Sequence, residues 1–366
     1  MRSSPCCRKQ PRQTLLDIPA AARQRLAAFA FLCLLFCATP LVAAGTPPQF
    51  ILPVDCHIGE NCFIQNYVDL IEGPGVEDHA CGLLSYEGHK GTDIRVRDIR
   101  QLAKGFNVVA AASGRVVGLR DGVTDRDYRQ VPPSSLKGRE CGNGVMIDHG
   151  RGWKSQYCHM KRGSVKVKKG QEVQAGDTLG QMGLSGMTQF PHLHFEVLRD
   201  GRHVDPFTGL HTRPPRHCGG TALSGNLWKF SAAAKLGYRS SGMISSGFAP
   251  RKPGLADIER GVFSGNRGRT DTKSVVYWVQ LYGLQAGDRM ELIVVGPDQS
   301  VLTKHRKVHK GTHKAQWFSF VGKNRPENRM WPAGTYTGRF TLWRKSPVGG
   351  WKKIVADTKH LTLRKF

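Results

Sequence analysis

The spacing of apolar residues constrains the fold of this chain more than any other feature of its sequence. Between about residues 75 and 210, no segment carries a long apolar stripe with the 3.6-residue period of an α-helix. Short apolar or alternating runs occur instead, and Gly or charged residues bound them. The pattern predicts a compact, mostly β domain with strands in residues 107–119, 143–150, 154–160 and 192–198.

The C-terminal third carries a second series of strand-like runs. Small residues around positions 217–247 interrupt the first series and indicate a boundary between two domains. Beyond them, turns rich in Gly, Pro and Asp separate further runs at regular spacing, which is typical of a small β-sandwich. The fold class predicted for the chain is therefore all-β. The five runs are residues 274–284, 289–296, 315–322, 334–345 and 352–363.

Basic residues greatly outnumber acidic ones. The 366 residues include 54 Lys and Arg against 28 Asp and Glu, a formal net charge of +26. Residues 251–366 hold 23 basic and 8 acidic residues, so the last third carries more than half of the excess. A surplus of this size favours an anionic partner and opposes self-association. The candidate partners are nucleic acid, an anionic membrane surface and an acidic polymer of the cell envelope.

The N-terminus has the layout of a secretory signal peptide. Residues 1–25 hold five arginines and one lysine, and an apolar run of roughly sixteen residues follows. Val42 and Ala44 supply the small side chains of a cleavage site. The run is short for a membrane span, which favours a cleaved signal peptide. The alternative is an uncleaved anchor in the inner membrane. Either reading takes the body of the protein out of the cytosol, to the periplasm or beyond, and argues against a nucleic-acid partner.

Six cysteines lie beyond the signal segment, all of them before residue 219. An even number in an exported chain is typical of disulfides, but sequence proximity suggests only the pair Cys56 and Cys62. No two of the six form a C-x-x-C pattern, which argues against a cysteine zinc site. The C-terminal domain, which has no cysteine, must be stabilised by its core alone.

Histidines and one aspartate recur in the strands of the first domain. His89 and Asp93 lie four residues apart, and His159 stands in another strand-like run. His192 and His194 lie two residues apart, so they share one face of a strand. A hydrolytic zinc site takes three nitrogen or oxygen ligands and leaves a fourth position to water. His194 would complete such a set with His89 and Asp93. A single strand histidine is more often structural, but the whole set favours a metal site.

Three separated motifs resemble those of the lysostaphin-type zinc metallopeptidases, the LytM-like enzymes that cut peptide bridges in bacterial peptidoglycan. The motifs are HKGTD, IDHGRGWKSQYCHM and GLSGMTQFPHLHFEV, and they occur in the order typical of that family. The resemblance covers roughly residues 85 to 205 and does not extend to the C-terminal domain. It implies a small antiparallel β domain of the duplicated-hybrid-motif type, with a groove above a single zinc ion.

The resemblance also implies roles for individual residues. The family's H-x-x-x-D motif falls on His89 and Asp93, and the second histidine of its H-x-H motif falls on His194. These three residues are therefore the expected zinc ligands. His159 and His192 fall on catalytic positions, where one histidine would transfer the proton of water and the other would stabilise the developing oxyanion. The sequence leaves open which histidine has which role.

Two further residues are candidates for the site or its groove. Asn143 is expected near the site by the same resemblance, although a turn role is the ordinary interpretation. Glu196 lies on the ligand face of a regular strand and would orient a ligand, or it would be an ordinary solvent-side residue. The sequence contains no HExxH motif, which excludes a thermolysin-like arrangement. Residues 119–141 form a longer insertion than the core needs and would reshape the groove.

The favoured function is an exported, zinc-dependent endopeptidase that hydrolyses peptide bonds in peptidoglycan cross-links or stems. One alternative is a non-catalytic envelope protein that binds or activates another cell-wall hydrolase. Such a protein is expected to lack zinc ligands, and all three are present here. Another alternative is an envelope-binding module with a structural zinc. The expected partners are peptidoglycan and anionic envelope polymers, with no nucleic acid, and membrane contact only through an uncleaved N-terminal segment.

The predicted domain organisation follows from these patterns. The chain divides into a signal peptide (1–44), an extended lead-in with a small disulfide loop (45–74) and the metallopeptidase domain (75–215). A Gly- and Ser-rich linker (216–248) and a basic β-sandwich domain (249–366) follow. Residues 304–314 contain three histidines, but their many basic side chains favour a solvated basic loop over a second metal site.

Overall fold

The computed structural model describes residues 46–211 and 225–365. Strands make up nearly all of their regular structure, so the all-β prediction is confirmed. The signal segment and Cys218 lie outside the described residues. Within the described part of the chain, no helix has the length and apolar character needed to cross a membrane. The helices are α1 (Ile99–Leu102), α2 (Phe230–Ala233) and α3 (Leu255–Glu259), and 3-10 turns cover Tyr128–Gln130 and Pro133–Ser135.

We refer to residues 46–211 as the N-terminal region. One antiparallel sheet dominates it, in the order β1-β2-β9-β6-β5-β4-β7, with β10 paired to β9. The strands β3 and β8 form a separate pair. These ten strands are β1 (Cys62–Asn66), β2 (Thr92–Val96), β3 (Asn107–Val109), β4 (Gly114–Arg120), β5 (Asn143–Gly150), β6 (Trp153–Met160), β7 (Glu172–Val173), β8 (Thr178–Gln181), β9 (His192–Arg199) and β10 (Arg202–Val204).

Alternation along β9 fixes which of its residues face the core. Leu193, Phe195 and Val197 are buried in the hydrophobic core of the N-terminal region. Residues i and i+2 of a strand point to the same face, so His192, His194 and Glu196 lie on the opposite face of β9. The apolar half of the strand thus anchors it, and the polar half is left to line a site.

We refer to residues 225–365 as the C-terminal region. A three-stranded sheet in the order β11-β13-β16 and a five-stranded sheet in the order β12-β18-β17-β14-β15 contribute to one hydrophobic core. Two sheets packed on a shared core form the predicted β-sandwich. The strands are β11 (Gly242–Ala249), β12 (Arg267–Arg269), β13 (Ser274–Leu284), β14 (Arg289–Val295), β15 (Val301–Val308), β16 (Lys314–Asn324), β17 (Gly334–Lys345) and β18 (Trp351–Arg364).

Two local expectations from the sequence differ from the structure. The solvated loop predicted for residues 304–314 is wrong for its first half, because residues 304–308 belong to β15 at the edge of a sheet. Charged residues on an edge strand protect it from pairing with another chain, which explains the basic composition. Part of the predicted Gly- and Ser-rich linker is also a strand, β11, which pairs with β13 and buries Ile244 and Phe248.

Disulfides stabilise the N-terminal region. The pair Cys56–Cys62, suggested by proximity, is confirmed, and a second bond joins Cys141 to Cys158. Cys81 is also disulfide-bonded. The bond at Cys158 links the end of the 119–141 segment to β6, one residue before His159.

The two regions are packed together. Their described residues from Pro47 onward belong to one compact unit. Ile244 and Tyr282 of the C-terminal region are buried within the core of the N-terminal region. The relative positions of the two regions are therefore fixed by buried apolar surface.

Candidate metal centre

Three side chains from separate parts of the chain meet on the polar face of the large sheet. His89 Nε2 lies 3.2 Å from Asp93 Oδ1 and 3.2 Å from His194 Nδ1, and the last two atoms lie 2.8 Å apart. Strand pairing produces this arrangement, because Asp93 on β2 stands directly opposite His194 on β9. His89 precedes β2 by three residues. The three atoms form a compact donor set that could hold one metal ion.

Gly91, between His89 and Asp93, is required by the close approach of β9. A Cβ atom at this position would lie 2.7 Å from the His194 ring and 2.8 Å from the backbone oxygen of Phe195. Real side chains do not reach such distances, so any other residue would push β9 away from β2. The glycine of the HKGTD motif therefore lets the donor set close.

Each of the three side chains is oriented by a second contact. The His89 Nδ1–H donates to the carbonyl of Tyr67 at 2.6 Å. The Asn66 amide donates to Asp93 Oδ2 at 2.8 Å, which leaves Oδ1 for the donor set. His194 Nε2 lies 2.8 Å from Glu196 Oε1. A ligating imidazole commonly has such a carbonyl or carboxylate partner on its other nitrogen, so these contacts favour a metal-binding role.

His192 and His159 stand beside the donor set. Their ring centroids are 4.6 Å apart, and His192 Nε2 lies 3.4 Å from Asp93 Oδ1. In both residues Nδ1 contacts a backbone carbonyl. His192 Nδ1 lies 2.9 Å from the Phe190 oxygen, and His159 Nδ1 lies 2.7 Å from the Ser185 oxygen. An Nδ1–H that donates to a carbonyl leaves Nε2 unprotonated in the neutral ring. Both histidines therefore have Nε2 available for proton transfer or hydrogen bonding.

Opposing effects set the charges of the donor set. Burial alone would raise the pKa of Asp93, but electrostatic interactions with the neighbouring His89 and His192 and hydrogen bonds with His192 and His194 hold it well below its usual value. Burial alone would lower the pKa of His194, whereas its contacts with Asp93 and Glu196 raise it to about 10. Burial lowers the pKa of His159 well below its usual value, so this ring is neutral. A cation held by the donor set would require an unprotonated His194 Nδ1 and would contact one carboxylate, that of Asp93, while Glu196 stays on His194 Nε2.

The segment 119–141 lies next to the site. Asp125 Oδ1 accepts from the backbone N–H of Leu184, and the Tyr128 N–H donates to the carbonyl of Thr188. Thr188 in turn contacts His192 Nδ1 at 3.1 Å. The predicted insertion therefore packs against the loop that supports His192, on that side of the candidate site.

Asn143 is placed beside this segment. Its side-chain oxygen accepts from the N–H of Val123, and its amide donates to the carbonyls of Val123 and Met160. The residue is fully buried. These contacts join the insertion to the end of β6, next to His159. A direct substrate contact by Asn143 stays a prediction.

The structure thus brings His89, Asp93, His159, His192, His194 and Glu196 to one place. Sequence reasoning did not identify Asn66, nor the carbonyls of Tyr67, Ser185 and Phe190. Backbone acceptors leave no mark in a sequence, because every residue has a carbonyl group. Asn66 is the end residue of β1, and only the pairing of β1 with β2 places it against Asp93.

Comparison with known families agrees with this geometry. The model of peptidase family M23 matches residues 87–206, the stretch that contains His89, Asp93, His159 and the H-x-H strand. The chain carries a peptidase family M23 domain. The M23 domain occupies about a third of the chain and ends before the C-terminal region begins.

Curated relatives match the M23 domain and little else. An uncharacterized metalloprotease of Haemophilus influenzae is 31% identical over 120 residues, which are 33% of this chain and 20% of the relative. The peptidoglycan DD-endopeptidase ShyA of Vibrio cholerae is 41% identical over 64 residues, 18% of this chain and 14% of the relative. The matches therefore span about a fifth or less of the length of these two relatives.

A solved structure is also similar. The catalytic domain of the antimicrobial peptidase lysostaphin from Staphylococcus simulans is 23% identical, with a TM-score of 0.25. The similarity covers 38% of this chain and 85% of that domain.

Proposed function

We propose that the chain is an exported zinc endopeptidase that hydrolyses peptide bonds of peptidoglycan. The observation that carries the proposal is the convergence of His89 Nε2, Asp93 Oδ1 and His194 Nδ1 within 3.2 Å of one another. Three protein ligands with room for a fourth are typical of catalytic rather than structural zinc. The M23 domain and its relatives support peptide hydrolysis as the reaction.

The donor set fits zinc in chemistry and spacing. Zinc binds imidazole nitrogen and carboxylate oxygen at about 2.0–2.2 Å in tetrahedral sites, where neighbouring ligand atoms are about 3.3 Å apart. The three atoms found here lie 2.8–3.2 Å apart, so a small adjustment would admit the ion. His89, Asp93 and His194 would hold it. When bound, zinc supplies Lewis acidity towards a peptide carbonyl and towards water.

The protein's own residues supply proton transfer. His192 and His159 each have a fixed Nδ1 and an available Nε2. One of them takes the proton of the attacking water and later gives it to the departing amine, a step for which a positioned imidazole is suited. The other can donate a hydrogen bond to the oxygen on which negative charge develops when its Nε2 also carries a proton, that is, as the imidazolium. Glu196 orients His194 through Nε2.

The substrate is inferred from the relatives and from the charge of the chain. ShyA is named as a peptidoglycan DD-endopeptidase, which supports peptidoglycan as the substrate class. Export is supported by the predicted signal segment and by the disulfides, which persist in oxidising compartments. A periplasmic or secreted enzyme would meet this substrate directly.

The outer face of the five-stranded sheet is proposed as the surface for an anionic envelope polysaccharide. Register places Arg289, Arg306, Lys304, Arg339 and Lys353 on this face, opposite the buried residues of β14 and β17. The acidic Glu291 on the same face pairs with both Lys304 and Arg306, and the other three cations lie beyond this cluster. The positive charge of this face therefore favours an acidic polymer. The variant R339E/K353E should weaken cosedimentation with an acidic polysaccharide and leave cosedimentation with a neutral polysaccharide unchanged.

Zinc content and fragment release together test the proposed reaction. Wild-type protein should bind one zinc ion and release soluble peptide fragments from purified peptidoglycan. His194→Ala should lose both properties, whereas His57→Ala, which removes an exposed histidine, should keep both. A zinc-free wild type that leaves peptide stems intact would contradict the proposal, and mass spectrometry of the fragments would identify the bond that is cut.

A further inference from the structure

A buried cation lies on β2, next to the candidate metal centre. Arg95 is 0% exposed and stands two residues after Asp93. A buried guanidinium must be paired and hydrogen-bonded, because its desolvation is otherwise strongly unfavourable. Its Nη1 donates to Gln65 Oε1 at 2.6 Å, and Nε and Nη2 donate to the carbonyls of Val96 and Arg97. These neutral acceptors leave its charge to be balanced by another group.

The balancing charge comes from the C-terminal region. Glu259 at the end of α3 places Oε2 3.0 Å from Arg95 Nη2. The other oxygen, Oε1, accepts from the side-chain amides of Gln280 on β13 and Gln316 on β16, each at 2.6 Å. The carboxylate is thus held by the three-stranded sheet and points its second oxygen at β2. The ion pair joins residues that are 164 positions apart in the sequence.

Arg95 contacts the histidine strand from the side. In the pairing of β2 with β9, Arg95 stands directly opposite His192. Its guanidinium lies 4.3 Å from the centre of the Phe190 ring, a cation–π contact. The Phe190 ring packs against His192 with centroids 4.8 Å apart, and the Phe190 carbonyl accepts from His192 Nδ1 at 2.9 Å. Arg95 therefore supports the residue that fixes both the position and the tautomer of His192.

The three expected zinc ligands are oriented by other groups. Asp93 is held by Asn66, His89 by the Tyr67 carbonyl and His194 by Glu196. None of these hydrogen bonds, all within the described residues, includes Arg95 or Glu259. The ion pair is therefore placed to affect His192 more than the metal ligands.

We infer that Glu259 is a positioning residue for His192, which acts through Arg95 and Phe190, so that the C-terminal region completes the peptidase site. This inference rests on the proposed function, because it assigns Glu259 to the reaction performed there. It also gives the C-terminal region a role in the chemistry, in addition to any role in binding. A near-attack geometry is sensitive to displacements of about 1 Å, which can lower rates about a hundredfold.

The variant Glu259→Gln tests the inference, because it removes the charge and nearly preserves the shape of the side chain. We expect kcat to fall about tenfold to a hundredfold, while KM and zinc stoichiometry stay near wild-type values. If Glu259 had a purely structural role, a folded Glu259→Gln variant would not show a lowered kcat together with unchanged zinc binding. Glu172→Gln is the matched control, because Glu172 pairs with Arg115 on the exposed surface and should leave kcat unchanged.

The double variant R95M/E259M covers the case in which Glu259→Gln does not fold. Replacing both partners of a buried ion pair with apolar residues is often neutral for stability, so this protein should fold and bind zinc but keep a low kcat. A folded variant of either kind with wild-type kcat would overturn the inference, as would a low kcat that is explained by zinc loss. Inactivity of the zinc-loaded wild type would instead contradict the proposed function.

Discussion

The N-terminal and C-terminal regions achieve order in different ways. The N-terminal region buries a group of polar residues, among them His89, Asp93, Arg95 and His192, and satisfies them with carbonyls, amides and carboxylates. The C-terminal region buries every residue of β13 and contains no cysteine. Buried polar groups contribute little net stability and are costly when left unpaired. The comparison indicates that the N-terminal region combines an apolar core with the buried polar groups of the candidate site, whereas the main core of the C-terminal region lies between its two sheets.

Removing the proposed catalytic residue His192 should produce the largest effect on activity with little effect on stability. The variant His192→Ala should lower kcat by about 10²- to 10⁴-fold, because it removes a positioned acid–base or hydrogen-bonding group. Zinc content should be retained, since the three expected ligands remain. Steady-state kinetics and metal analysis of the same sample measure both quantities. Loss of zinc in this variant would show that His192 is a ligand rather than a catalytic residue.

A cavity in the C-terminal core should have the largest effect on stability. Phe340 on β17 is 1% exposed and packs in the core between the two sheets. The variant Phe340→Ala should lower the free energy of unfolding by about 3–5 kcal/mol, through lost burial and an unfilled cavity. Urea unfolding measures the change. Val348→Ala, at an exposed apolar position, is the matched control and should change the free energy little.

Features of the two regions could be predicted from sequence where they depend on neighbouring residues, and not where they depend on contacts between residues far apart in the chain. The metal-centre residues were predicted through the resemblance of three motifs to a known family, while spacing alone gave only the shared strand face of His192 and His194. The strand Ser274–Leu284 was likewise predicted at its observed bounds. The Arg95–Glu259 pair was not predictable, because it depends on the packing of the two regions. The edge strand β15 was missed because its basic side chains lack the alternation of a half-buried strand.

Disruption of the disulfide next to His159 should lower both stability and activity. The bond Cys141–Cys158 closes a segment with a sequence separation of 17. Replacing both cysteines with serine should lower the free energy of unfolding by about 3 kcal/mol. The His159 N–H donates to the Cys141 carbonyl at 2.8 Å, so activity should fall as well. The change in Trp fluorescence on unfolding and the hydrolytic rate test these effects, and unchanged stability would show that the fold of this segment does not depend on the bond.

A pH dependence of stability should arise from one buried carboxyl group. Burial raises the pKa of Asp205 to about 7, even though the N–H groups of Phe207 and Thr208 donate to Oδ1. The native state then holds a proton that the unfolded state has lost between about pH 4 and pH 7, so stability falls as pH rises through this window and is level above it. The slope is at most about 1.4 kcal/mol per pH unit.

The variant Asp205→Asn isolates this contribution, because an amide oxygen can still accept the same hydrogen bonds but cannot ionise. Its stability relative to wild type should therefore increase as pH rises from 4 to 7 and then stay constant. Denaturant unfolding at a series of pH values measures the difference. A difference that is independent of pH would show that Asp205 has the same pKa in the folded and unfolded states. Burial of a polar group in the N-terminal region would then not always carry an energetic cost.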